Sequence, residues 1–126
     1  TVNEEYKLTS PEKLDVIAIC AYNLKNEERK QTVSYDEGMK AKTRIFLRQA
    51  LASNHDAVVL GALGAGAFGG DGEQVAKIYT EVLEENEFLH QFKHVRFAIK
   101  DDHNGANFKK FAKIPTTING QYYRAI

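Results

Sequence analysis

Ala57-Val58-Val59-Leu60-Gly61-Ala62-Leu63-Gly64-Ala65-Gly66-Ala67-Phe68-Gly69-Gly70-Asp71-Gly72 is the stretch on which the reading of this chain turns. Its first four residues are a short apolar run suited to a buried strand. The glycines and alanines that follow, with one aromatic among them, form a turn. Glu73-Gln74-Val75-Ala76-Lys77-Ile78-Tyr79-Thr80-Glu81-Val82-Leu83 then places apolar residues at helical spacing. Strand, glycine-rich turn and helix start, in that order, make a geometry that holds a diphosphate. Glycine lets backbone N–H groups crowd onto an anion with no Cβ in the way. The first turn of the helix adds unpaired donors and a partial positive charge. The stretch lacks the Lys-Ser/Thr ending of a P-loop, so NTP hydrolysis through that motif is not expected. It also departs from the dinucleotide fingerprint, because Phe68 falls inside the turn. On loop chemistry alone, a tight strand-to-helix crossover with no ligand fits as well as a phosphate cradle.

Working outward, Leu14-Asp15-Val16-Ile17-Ala18-Ile19-Cys20-Ala21 has the length and β-branched content of a buried strand, which would make Cys20 a small core residue. Residues 36–52 form an amphipathic helix, with Met39, Phe46, Ala50 and Leu51 on its apolar face, Ser34 or Asp36 as N-cap, and Arg44 and Arg48 on its surface. The helix after the glycine loop runs to about residue 87, and a third strand covers residues 94–99. Thr116-Thr117-Ile118-Asn119-Gly120-Gln121-Tyr122-Tyr123 reads as a hairpin with Asn119-Gly120 at its turn, either adding an edge to the sheet or linking to a following domain. Strands alternating with helices imply an α/β fold, with a mostly parallel sheet and flanking helices.

The 126 residues make one domain, 1–126, and its start at Thr1 suggests excision from a longer protein. Seventeen basic residues balance seventeen acidic ones, so net charge gives no electrostatic reason to expect nucleic acid or an anionic membrane as partner, a local basic patch being the open alternative. No apolar run approaches membrane-spanning length and no signal peptide is visible. A single cysteine forms no internal disulfide, chemistry of the cytoplasmic type.

In open α/β sheets ligands gather beyond the carboxyl ends of strands. Three loops would open there: Tyr22-Asn23, the glycine loop, and Asp101-Asp102-His103-Asn104-Gly105-Ala106-Asn107-Phe108. If sheet order follows chain order, the glycine loop lies between the other two. Tyr22 either stacks on a purine or caps the core, and Asn23 either reads a base or ribose or turns the chain. Tyr35 is a second stacking candidate. Asn104 either caps the next helix or binds, and Phe108 either packs with Phe111 or binds. Glu27-Glu28 and Glu84-Glu85 read as solvated charge, and His55 as a turn residue. His90 and His94 are four apart but straddle a helix-to-strand transition with no third ligand, so no metal is expected.

The stretch from Leu60 to Gly69, followed by Val75-Ala76, resembles the diphosphate loop of the microbial-type poly(ADP-ribose) glycohydrolases, relatives of the macrodomain. Their pattern is Leu-Gly-Ala-aromatic-Gly-Cys-Gly-apolar-Phe-Gly-Asn; here Leu63, Ala65 and Gly70 replace the aromatic, the cysteine and the asparagine. Arg44-Ile45-Phe46-Leu47-Arg48-Gln49-Ala50 and Val95-Arg96-Phe97-Ala98-Ile99-Lys100-Asp101 resemble the flanking helix and strand. The resemblance spans residues 14–111 and matches only the C-terminal half of that family. It implies a three-layer, macrodomain-like α/β fold. It also implies an adenine-nucleotide or ADP-ribose ligand, free or protein-linked, with Gly64, Ala65, Gly66, Ala67, Phe68 and Gly69 on the phosphates and Phe68 pressing on the distal ribose. Tyr22, Asn23, Tyr35, Asn104, Asn107 and Phe108 become candidates for the adenosine side. The family's catalytic glutamate pair follows a glycine triplet, and both belong to the half without a counterpart here. A binding module is therefore expected, without catalytic residue, cofactor or metal of its own, partnered by the rest of its parent protein. An ADP-ribose glycohydrolase and a protein-interaction domain without ligand are the alternatives.

Overall fold

The computed structural model describes residues 8, 10–25, 34–100, 106–112, 117–118 and 121–125. Helix α1 (Tyr35–Ala52) opens after Ser34, with Asp36 and Glu37 in its first turn where the helix dipole favours carboxylates. Met39, Thr43, Phe46, Leu47 and Ala50 make its buried stripe. The one hydroxyl in that stripe is satisfied, Thr43 Oγ1 donating to Met39 O at 2.8 Å. Asn54, at φ 61°, takes the left-handed conformation that ends the helix, and its N–H donates to Leu51 O.

Strand β1 (Ala57–Leu60) pairs in parallel with β2 (His94–Phe97), Ala57 opposite His94 and Leu60 opposite Phe97. Helix α2 (Gly72–Leu83) connects them and buries Val75, Ala76, Ile78, Tyr79, Val82 and Leu83. Turns carry the chain over residues 84–91, so α2 stops four residues short of the expected end; Phe88 and Phe92 are buried in and after them. A short helix α3 (Ala106–Ala112) contributes Phe111 to the core. The expected hairpin is present as β3 (Thr117–Ile118) and β4 (Gln121–Ala125), and it joins the sheet rather than leaving the domain. β4 lies parallel to β2, giving the order β1-β2-β4-β3. The result is a mixed helix-and-strand fold with parallel pairing, in line with the α/β expectation.

α1 packs on α2, and α2 on α3. Tyr79 is the centre of the core: it stacks on Phe97 at 6.1 Å, takes Phe46 edge-on at 6.1 Å, and tilts against Phe111 at 6.3 Å. β2 alternates, with Val95 and Phe97 inward and His94 and Arg96 outward. Its third-strand ladder ends at Phe97, two residues earlier than expected.

One expectation fails outright. Residues 14–21 form no strand; Leu14 is 82% and Val16 79% exposed, Cys20 is exposed too, and only Ile19 packs partly against the core. β-branched content favours a pleated, half-buried setting, but a strand also needs a ladder partner, and no local pattern supplies one. Here β1 pairs only with β2 among the described residues, and a cleft of roughly 1160 Å³ separates its other edge from residues 13–19. Among the described residues β1 is consequently an edge strand. The glycine loop that follows it is not set between two strand-end loops, as an order following the chain would have it.

Candidate anion-binding loop

The loop from Gly61 to Gly70 is braced from behind. Tyr79 Oη donates to Gly61 O at 2.9 Å, and burial pushes that phenol well up, so it remains a neutral donor. Ala65 N donates to Ala62 O, Gly69 N to Gly66 O, and Gly70 N to Gly64 O at 2.8 Å. Asn107 Nδ2 donates to Ala65 O at 3.2 Å, tying α3 to the loop. Two glycines are required by conformation, Gly64 at φ 80° and Gly69 at φ 78°. A third, Gly70, is required by space: a Cβ there would stand 2.6 Å from Gly64 O.

The front of the loop is open. Gly66, Ala67 and Phe68 are exposed, and among the described residues their N–H groups meet no protein acceptor. Nothing lies within 4 Å of a Cβ placed on Gly66. Phe68 is 40% exposed, while its carbonyl accepts from Leu24 N at 2.8 Å. The start of α2 contributes less than the sequence suggests. Asp71 caps it, Oδ1 accepting from Glu73 N at 3.1 Å and from Lys110 Nζ at 2.8 Å, and the ammonium and amide together hold this carboxyl below its ordinary value. A carboxylate already stands at the helix terminus and takes up the Glu73 donor, which weakens this terminus as an anion site.

Two of the six adenosine-side candidates, Tyr35 and Asn107, touch this loop, and two more, Tyr22 and Asn23, lie between Ala21 and Leu24, which touch it. Tyr22 packs against the backbone of Gly38, meets Tyr35 edge-on at 6.4 Å, and carries Lys42 Nζ 4.7 Å above its ring. Asn23 Oδ1 accepts from Lys25 N at 3.1 Å, turning the chain toward the loop. Among the described residues Tyr35 Oη is buried without a hydrogen-bond partner, 3.1 Å from a Cβ placed on Gly70; burial foremost, then Asp36 and Asp71, raises its pKa. Asn107 is engaged with Ala65 O. Phe108 is exposed on α3, and Asn104 lies outside the described residues.

Sequence reasoning passed over two cations, Lys25 and Lys42. The stem of Lys25 lies along Gly69, its Cγ 3.4 Å from a Cβ placed there, and among the described residues neither lysine has a carboxylate partner. Lys25 follows a turn residue by two positions, and Lys42, in mid-helix between Ala41 and Thr43, carried no signal in the sequence. Elsewhere, Arg44 makes a two-pronged bond to Glu85 and Arg48 pairs with Glu87, joining α1 to the turns after α2. Glu84 is exposed, and Glu27-Glu28 lie outside the described residues. His55 Nε2 bonds Asp15 Oδ2 at 2.7 Å. Among the described residues no group of three or more His, Cys, Asp or Glu is set to hold a metal, and no helix is long and apolar enough to cross a membrane.

No protein-family model matches this chain, and neither a curated protein nor a solved structure does.

Proposed function

We propose that residues 1–126 are a macrodomain-like module that binds an adenine nucleotide diphosphate, ADP or ADP-ribose, free or protein-linked. The observation that carries this is the run of amide donors at Gly66, Ala67 and Phe68, exposed and without acceptors among the described residues, on a loop whose other bonds hold it in shape. Successive unpartnered N–H groups make a concavity suited to phosphate oxygens. Lys25 and Lys42 add positive charge on the same side as Leu24 and Tyr22, and Phe68 offers an apolar surface for the distal ribose. The outward residues of β2 and the open edge of β1 suit a three-layer arrangement in which the rest of a parent protein covers them. The module binds without turning over its ligand.

Calorimetric titration with ADP-ribose, ADP, AMP, cyclic AMP and ATP tests the reading, alongside an assay for ADP-ribose release from a modified protein. The diphosphates should bind ahead of AMP, with no release. Gly66→Val should abolish binding and leave the fold intact, since its Cβ meets only open space in the free protein. Absence of heat with every adenylate would overturn the proposal in favour of an interaction domain, and release would overturn it in favour of a glycohydrolase.

A further inference from the structure

Residues 14–20 lie beside β1 without joining it, yet three contacts fix their course. Asp15 Oδ2 meets His55 Nε2 at 2.7 Å, just before β1 begins. Ala21 approaches the backbone beyond β1, its Cβ 2.7 Å from a Cβ placed on Gly64. Leu24 N then donates to Phe68 O at 2.8 Å. The partners rise in number together, so the segment runs parallel to β1 along its unpaired edge. Between them is the cleft, lined on one side by residues 13–19 and on the other by Val58, Val59, Leu60 and Phe46. Leu14, Val16 and Val59 leave large apolar surfaces in water, Val59 at 63% exposure. An unpaired edge facing a β-branched segment held at both ends is the situation in which a ladder forms once the ends are fixed.

We infer that residues 15–20 are a strap that closes onto β1 as a further parallel strand when a diphosphate seats on the loop, an inference that rests on the nucleotide-binding reading above. The coupling is structural. Two of the three contacts, at Gly64 and Phe68, belong to the loop itself. An anion bridging Gly66, Ala67 and Phe68 immobilises both, and so fixes the carboxyl end of the strap beside the end of β1. Closure in turn covers Val16 and Val59, and Lys25 already lies along Gly69, next to the bound charge. The ligand therefore favours the closed arrangement by ordering Gly64 and Phe68 in advance, which lowers the cost of ordering residues 15–20.

Amide hydrogen exchange with and without saturating ADP, read by mass spectrometry, tests the strap in the full chain. Exchange over residues 14–20 should slow at least tenfold with ADP, while residues 95–97, already paired on both sides, should not change. Val16→Asp supplies a second reading. Its side chain is exposed when the strap is open, so the melting temperature should hold; closure then has to bring a carboxylate to the ladder, so ADP affinity should fall about tenfold. Calorimetric binding of ADP with exchange over 14–20 unchanged would overturn the strap and leave the binding reading standing. No heat with ADP would overturn the binding reading and the strap with it.

Discussion

Gly64, Gly66 and Gly70 share one loop, but alanine at each should have a different cost. At Gly64 the backbone sits at φ 80°, where an L side chain pays for the left-handed conformation at about 1–2 kcal/mol. Its new Cβ would also stand 2.7 Å from the Cβ of Ala21, so residues 21–24 have to shift. Together these predict a loss of about 2–3 kcal/mol. At Gly70 the conflict is with backbone, Gly64 O at 2.6 Å, which no rotamer change relieves, so the loss should be at least as large. At Gly66 φ is not positive and nothing lies within 4 Å, so Gly66→Ala should be neutral or stabilise by about 0.4–1 kcal/mol through the unfolded chain. Unfolding entropy for a domain of this length makes 1 kcal/mol worth about 4 °C. Gly64→Ala should therefore melt roughly 8–12 °C below the parent, and Gly66→Ala at or slightly above it. Differential scanning fluorimetry on the three variants reads this directly. Equal melting temperatures for Gly64→Ala and Gly66→Ala would refute the loop conformation described above, and with it the arrangement of open donors.

Tyr35→Phe removes a buried hydroxyl that has no partner among the described residues, so urea denaturation should show no loss of stability; a loss above about 1 kcal/mol would mean the hydroxyl is bonded after all. Asn107→Leu cuts the tie from α3 to Ala65 O and leaves that carbonyl short of a donor, costing about 1–2 kcal/mol and speeding amide exchange across the loop. Asp71 has a folded pKa below its ordinary value of 3.8, because Lys110 and the Glu73 amide favour the carboxylate. Its contribution is therefore complete above that ordinary value and is lost as pH falls through the depressed one, so Asp71→Asn should flatten the acid limb of the stability–pH curve and leave the limb above neutrality unchanged.

The elements legible in the sequence were those defined by local pattern. Met39, Phe46, Leu47 and Ala50 fall on one helical stripe, and Val75, Tyr79 and Val82 on another, because a helix satisfies its own backbone and needs only an apolar face to settle its position. Asn119-Gly120 announced the hairpin for the same reason. Residues 14–21 looked as strand-like as residues 57–60, and the difference between them is non-local: Ala57 to Leu60 faces β2 across a ladder, and Leu14 to Ala21 faces a cleft. Composition cannot report which of two β-branched segments finds a partner. The end of α2 was overrun because Glu84, Glu85 and Glu87 are good helix formers; the chain turns there to bury Phe88 and Phe92, and tertiary packing decides against propensity.

The site shows the same division. Glycines at Gly64, Gly69 and Gly70 were visible as a turn, and each proves to have a conformational or steric reason. What the sequence could not show is which face of that turn is spoken for. Asp71 occupies the helix terminus expected to serve an anion, and a short polar residue before a helix is as ordinary a cap as it is a ligand neighbour. Asn107, a candidate reader of adenosine, spends its amide on Ala65 O from forty-two residues away in the chain. Among the described residues, three consecutive exposed donors without acceptors remain at Gly66 to Phe68, beyond the end of a strand paired on one edge. An edge position has a consequence for recognition: a ligand there is flanked by β2 on one side only, and the other flank has to come from residues 21–25. That is why Leu24 and Lys25, which no motif marked, matter as much to the proposed site as the glycines that first drew attention to it.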